Sequence, residues 1–189
     1  IIINDANYIT LYCLTVRFAG GRGIFILGDY NRIEKCNVKF NGGIGINMFT
    51  YHDTKTTNTM IIKNHIYHNF LRNWPRGRYK WGGWGGGAIS HSTPNTQYIG
   101  NIVHKNGGEG LLAHSGEGDT IFRDNIVYDN WSVNIYVDNQ PNCVIEKNLI
   151  FSHEPNPNDL YNNGDNSPND GKNLRRLRPE GIMTADEEE

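Results

Sequence analysis

Three side chains able to move a proton or hold a cation stand at the same point of a recurring phrase. His91, His114 and Asp138 each follow four residues after the residue that opens it: Gly87, Gly110 and Asn134. The phrases are Gly23-Ile-Phe-Ile, Gly45-Ile-Asn-Met, Gly87-Ala-Ile-Ser, Gly110-Leu-Leu-Ala, Asn134-Ile-Tyr-Val and Gly181-Ile-Met-Thr. Their first and third following residues (Ile24/Ile26, Ile46/Met48, Leu111/Ala113, Ile135/Val137) are apolar or small, the alternation of a strand with one buried face. The second and fourth then point outward. The fourth column reads Leu27, Phe49, His91, His114, Asp138, Ala185, with Leu112 and Tyr136 in the outward column beside it. Stacked as neighbouring strands, the backbones of His91 and His114 lie about 5 Å apart and Asp138 about 10 Å from His91. Two imidazoles and a carboxylate at that spacing could converge on one divalent metal, as in His/His/carboxylate zinc sites. An imidazole could instead take up a proton while its neighbours tune it. A solvated stack on an exposed strand is the structural alternative.

Two long segments bracket this column. An insertion over 71–84 alternates Arg72, Arg76, Arg78 and Lys80 with Trp74, Tyr79, Trp81 and Trp84. Flat aromatic faces suit the apolar faces of sugar rings, and guanidinium forks hold carboxylates or sulfates. An acidic polysaccharide satisfies both; single-stranded nucleic acid would too, but the net charge of −2 argues against it. A loop folded back with its Trp side chains on an apolar patch is the alternative. A second excursion, 153–179, is rich in Asn, Pro and Asp, and 50–55 forms a shorter one. Leaving one side of the molecule, the two long loops would wall a groove floored by His114, Tyr136 and Asp138, with Glu109 at its lip; long loops in compact repeat proteins are usually functional.

The elements that must position these residues are repeats. Asn64, Asn101, Asn125 and Asn148 are separated by 37, 24 and 23 residues, and Asn69, Asn106 and Asn130 follow five residues after the first three. A unit of about 23 residues therefore recurs once an insertion is removed. Each unit carries a second apolar phrase, as in Ile33 to Val38, Ile61 to Ile66 and Phe122 to Val127, bounded by Gly, Asn and Asp. No window shows an amphipathic helix. Two or three short strands per turn describe an all-β, single-stranded, right-handed parallel β-helix of about six rungs. Asn at tight bends tolerates left-handed backbone geometry, and identical Asn side chains on stacked rungs form hydrogen-bonded ladders. Cys36 stands in for Asn in the first column.

The Asn-x-x-(Ile/Tyr)-x-Asn and Gly-Ile-x-(Ile/Leu/Met) phrases make the chain resemble the right-handed parallel β-helix proteins of the pectin lyase-like superfamily, from Ile1 to about Phe151 and again at Gly181. That resemblance implies the scaffold and is nearly silent on activity, since its members include pectate, alginate and chondroitin lyases, polygalacturonases, uronan epimerases, viral tailspikes and proteins without known catalysis. The clustered Asp of polygalacturonases is missing, for only Asp138 is on the proposed floor. Calcium-dependent pectate lyases would need carboxylates beyond Glu109, Asp138 and Glu180. A Lys base with a nearby Arg would map to Lys105 and Arg123 without a supporting motif, and the Asp-Pro signature of the epimerases is absent.

Composition sets outer limits. Of 189 residues 37% are hydrophobic, few for a two-layer core but enough for a stacked solenoid, in which each repeat buries its inner face on its neighbours. No apolar run is long enough to span a membrane. Cys13, Cys36 and Cys143 form neither a disulfide framework nor a zinc pattern and read as buried free thiols. Strands at both ends suggest one β-helix domain cut from a longer solenoid. The expectation is an exported (secreted, periplasmic or surface) enzyme acting on an acidic polysaccharide by lyase-type elimination or glycosidic cleavage. His114 moves the proton, His91 and Asp138 support it, Arg76, Arg78 and Lys80 neutralise a uronate, and Trp81 or Trp84, Tyr136 and Glu109 contact sugar. No cofactor is needed, and the oligomeric state is open. A noncatalytic glycan-binding or structural surface or spike module is the competing reading.

Overall fold

A computed structural model describes residues 1–51, 54–73, 85–116, 118–153 and 181–185, without the side chains of Met183 and Ala185. Every turn of the coil contributes three short strands, one to each of three parallel sheets. The first sheet has seven strands: Ile2–Ile3, Ile24–Ile26, Ile46–Phe49, Gly86–His91, Glu109–His114, Ile135–Asp138 and Ile182–Ala185. The second (Thr10–Tyr12 to Val144–Glu146) and third (Thr15–Arg17 to Leu149–Phe151) have six each. Six complete coils and one further strand result among the described residues, in keeping with the repeat. Among the described residues the one helical element is a 3-10 turn, Leu71–Asn73, at the start of the insertion.

Three-residue strands whose middle side chain points inward fill the prism. Ile33, Ile61, Tyr98 and Phe122 in the second sheet and Val38, Ile66, Val103 and Val127 in the third are fully buried. They meet Ile24, Ile46, Leu111 and Ile135 of the first sheet. Tyr98 and Phe122 stack inside with parallel rings 5.0 Å apart, and the Tyr98 hydroxyl donates to the Leu112 carbonyl at 3.1 Å. A fully buried side chain of this size is worth about 1.5–3 kcal/mol.

The corners explain the asparagines. Asn64 Nδ2 donates to Asn101 Oδ1 at 3.1 Å, Asn101 to Asn125 at 3.0 Å and Asn125 to Asn148 at 2.9 Å. Each amide also donates to a carbonyl of the preceding coil, as Asn101 Nδ2 does to Ile61 O. A second ladder runs Asn41–Asn69–Asn106–Asn130–Asn134. The left-handed backbone, expected at the Asn themselves, falls one residue earlier: Lys35, Lys63, Gly100, Asp124 and Lys147 at the first corner, and Phe40, His68, Lys105 and Asp129 at the second. The physical division of labour is clear. One residue turns the chain, and the next feeds its amide into the ladder that would otherwise be missing at a strandless bend. Cys36 fits because its own amide donates to Asn64 Oδ1 at 2.8 Å. All three thiols are free, but only Cys36 is buried; Cys13 is exposed and Cys143 half-buried, a correction to the expectation of three buried thiols.

Candidate functional site

The outer face of the first sheet carries the column read from the phrases. Register pairs Phe49 with His91, His91 with His114, and His114 with Asp138. All four side chains are half-buried, while Met48, Ser90, Ala113 and Val137 between them face the interior. His114 Nε2 lies 3.2 Å from Asp138 Oδ2. His91 packs edge-on against His114 at 4.6 Å between ring centroids and edge-on against Phe49 at 4.6 Å. The three polar groups therefore adjoin in a row.

Ser92 and Ser115 follow the two histidines in left-handed conformation. Their hydroxyls approach His91 Nδ1 at 3.1 Å and His114 Nε2 at 3.3 Å. Both Ser115 and Asp138 meet the same nitrogen of His114, so this is not a Ser-His-Asp relay, which needs the serine and the acid on opposite ring nitrogens. With Asp138 accepting from Nε2–H, the Nδ1 lone pair is the basic position of His114. Burial, reinforced by the charge of His114, holds His91 below the ordinary imidazole value and keeps it neutral near neutral pH. Among the described residues no group of three or more His, Cys, Asp or Glu is arranged to hold a metal ion.

Two expectations about the floor need correction. Glu109 is no exposed lip residue; it is 6% exposed, with Oε2 accepting from the Gly85 amide at 3.0 Å. Burial, with the charge of Asp138 adding to it, pushes its carboxyl up to about 8. The cause is local: Glu109 begins its strand beside Gly86, whose missing Cβ leaves room for the Glu109 backbone. Leu112, placed in an outward column, is also buried at 8%, as is its neighbour Ile89 at 5%, yet neither belongs to the interior cluster. Tyr136, the next residue in that column, is half-buried. Arg76, Arg78, Lys80, Trp81 and Trp84, and the second excursion after His153, lie outside the described residues. The 50–55 excursion closes on a bridge between Tyr51 and Thr54.

The third sheet holds titratable groups that the sequence reading passed over. Tyr67, His104, Tyr128 and Phe151 form one outward stack with centroids 5.1, 4.6 and 4.8 Å apart. His65 Nε2 faces His104 Nε2 at 2.9 Å. Burial, then the charges of His65, His68 and Lys105, hold His104 down to about 4, with Asp129 opposing. Buried Asp129 accepts from both the amide and Nδ1 of His153, each at 2.7 Å. The signal was present: the residues just before the second Asn of each phrase read Tyr67-His68, His104-Lys105 and Tyr128-Asp129, three ionisable pairs in columns.

A coil of three parallel sheets with an outward polar column on one of them defines a class of proteins rather than one activity. Residues 1–172 match the right handed beta helix region family, and the chain belongs to that family. No curated protein matches the chain significantly. Among solved structures it resembles the A-module of the Azotobacter vinelandii mannuronan C-5 epimerase AlgE4 (TM-score 0.50, 15% identity, 80% of this chain and 47% of that one). It also resembles the Dettilon tailspike protein gp208 (TM-score 0.49, 19% identity, 70% of this chain and 29% of that one). The chain thus spans less than half of either, and at these identities the likeness concerns the fold.

Proposed function

We propose that the protein acts on a polysaccharide, an acidic glycan laid across the outer face of the first sheet, with His114 as the proton-transfer group. The observation that carries this reading is the 3.2 Å contact of His114 with Asp138 on the next coil, flanked by neutral His91 on the coil before. Asp138 fixes the ring and stabilises the imidazolium formed when His114 accepts a proton. In an elimination that proton comes from the carbon beside a uronate carboxylate, and the bond to the leaving sugar oxygen breaks as the double bond forms, that oxygen taking up a proton from solvent water. A neutral His91 beside it leaves the site one positive charge rather than two, which suits a base. Arg76, Arg78 and Lys80 would neutralise the uronate, with Trp81 or Trp84 and Tyr136 against sugar rings. The mannuronan epimerase module of the same fold supports a glycan as the ligand class. An exported location belongs to the same reading.

The test is a panel of uronic-acid polysaccharides incubated with wild-type protein and His114→Ala, following the ultraviolet absorbance that only an unsaturated uronate acquires, and reducing ends for hydrolysis. The expected result is product from the wild type and a loss of at least about 100-fold in the variant. Undiminished turnover by His114→Ala overturns the assignment, and glycan binding without any product favours the noncatalytic module.

A further inference from the structure

We infer that the corner between the third and first sheets, over the first four coils, is a second binding ridge for an acidic polysaccharide, running along the helix axis away from the His114 column; the polymer class rests on the function proposed above. Charge is segregated there although the chain as a whole carries −2. Arg17, Arg22, Lys39, Arg72 and Lys105 all belong to this corner, and among the described residues the carboxylates on it are Glu109, which is buried, and Asp129 in the fifth coil, which is engaged by His153. Arg17 and Lys39 are register partners on adjacent coils. The Arg72 guanidinium reaches back to within 3.9 Å of the space beside Gly20 in the first coil. Among the described residues no carboxylate pairs with Arg17, Arg22, Lys39 or Arg72.

Arg17, Arg22 and Lys39 are held in place by rings. The Arg17 guanidinium lies 5.2 Å from the Phe18 ring centre and that of Arg22 4.6 Å from Phe25. Lys39 bonds the Tyr67 hydroxyl at 3.0 Å. Positioning against aromatic rings lowers the entropy lost on binding without neutralising the charge. Arg17 and Lys39 thus offer cations one coil apart, a step of about 4.8 Å that an axial polymer with one acid per sugar can meet. Single-stranded nucleic acid fits less well. It requires open ring faces for its bases, whereas Phe18, though 68% exposed, is stacked on Phe40 at 5.9 Å and covered by Arg17.

The experiment is affinity electrophoresis of the full chain through gels containing sodium polygalacturonate, alginate or neutral dextran, comparing wild type with the double variant Arg17→Gln/Lys39→Gln and, separately, Arg72→Gln. Melting curves confirm that the variants fold. The expected result is retardation by at least one polyuronate, not by dextran, that weakens roughly tenfold in the double variant and with added salt. No retardation of the wild type by either polyuronate, or equal retardation of wild type and variants, overturns the ridge. So does single-stranded DNA displacing the polyuronate at lower concentration than free polyuronate does. Because gel retardation needs no turnover, a wild type that binds through these residues but yields no product leaves the ridge standing while the catalytic reading falls. Normal turnover with unaltered retardation gives the reverse.

Discussion

At the residue scale, His114 and Glu109 show how one sheet gives two titratable groups opposite fates. His114 sits on the outward side at a strand end and meets Asp138 through open register. Glu109, five residues earlier on the same strand, is enclosed and carries its proton near neutral pH. The linkage sign follows. The unfolded carboxyl titrates near 4.5 and the folded one at about 8, so the folded state holds the extra proton between those values. The Glu109 contribution is complete below pH 4.5 and falls as pH rises toward 8, by up to about 1.4 kcal/mol per pH unit. Denaturant titrations at pH 5 and pH 8 should show the wild type losing more stability over that interval than Glu109→Gln does. For activity, Asp138→Asn should lower turnover by roughly 10- to 100-fold while leaving the fold intact, since it removes the orientation of His114 rather than the base; unchanged kcat would argue that the contact is structural. His91, His114 and Asp138 were legible in the sequence because a strand's period of two and a fixed repeat together specify facing. The burial of Glu109 and Leu112 was not, because it depends on what lies over a face, which the alternation of one strand does not encode.

At the scale of elements, the corners carry the specificity of the fold. A strandless bend leaves backbone groups without partners, and the Asn ladder supplies them from the side chain. Asn101→Ala would strand the Asn64 amide and the Ile61 carbonyl inside, and should destabilise the protein by about 2–4 kcal/mol in equilibrium unfolding. A cost under about 0.5 kcal/mol would show the ladder to be ornamental. The spacing of these asparagines displayed the coil length at once. It did not display which residue bends, because left-handed geometry falls here mostly on Lys, Phe and His, which carry no turn signal of their own, and on residues that do only at Gly100, Asp124 and Asp129. The His65–His104 pair makes a separate prediction. His104 is neutral in the folded state down to about pH 4, whereas unfolded it titrates near 6.5. Its contribution is therefore present above pH 6.5 and lost as pH falls from there toward 4. Across that window the wild type should lose melting temperature relative to His104→Phe, which keeps the stack with Tyr67 and Tyr128.

At the scale of the whole molecule, register makes function. A solenoid has contacts between neighbouring coils only, so residues 23 and 24 apart in sequence become vertical neighbours on one wall, and every column is a potential site. The same rule that lines up Ile24, Ile46, Leu111 and Ile135 inside lines up His91, His114 and Asp138 outside and the basic residues along one corner. This is why the scaffold was readable from periodicity while the chemistry was readable only column by column. It also gives the most direct check on the account: the titration of His91 followed by NMR in wild-type protein and in His114→Asn. If the two imidazoles share one wall, His91 titrates below the ordinary value near 6.5 in the wild type, and its midpoint rises when the neighbouring charge is removed. An identical His91 midpoint in both proteins would mean that the two side chains do not sense each other, contradicting the stacked column on which the site depends.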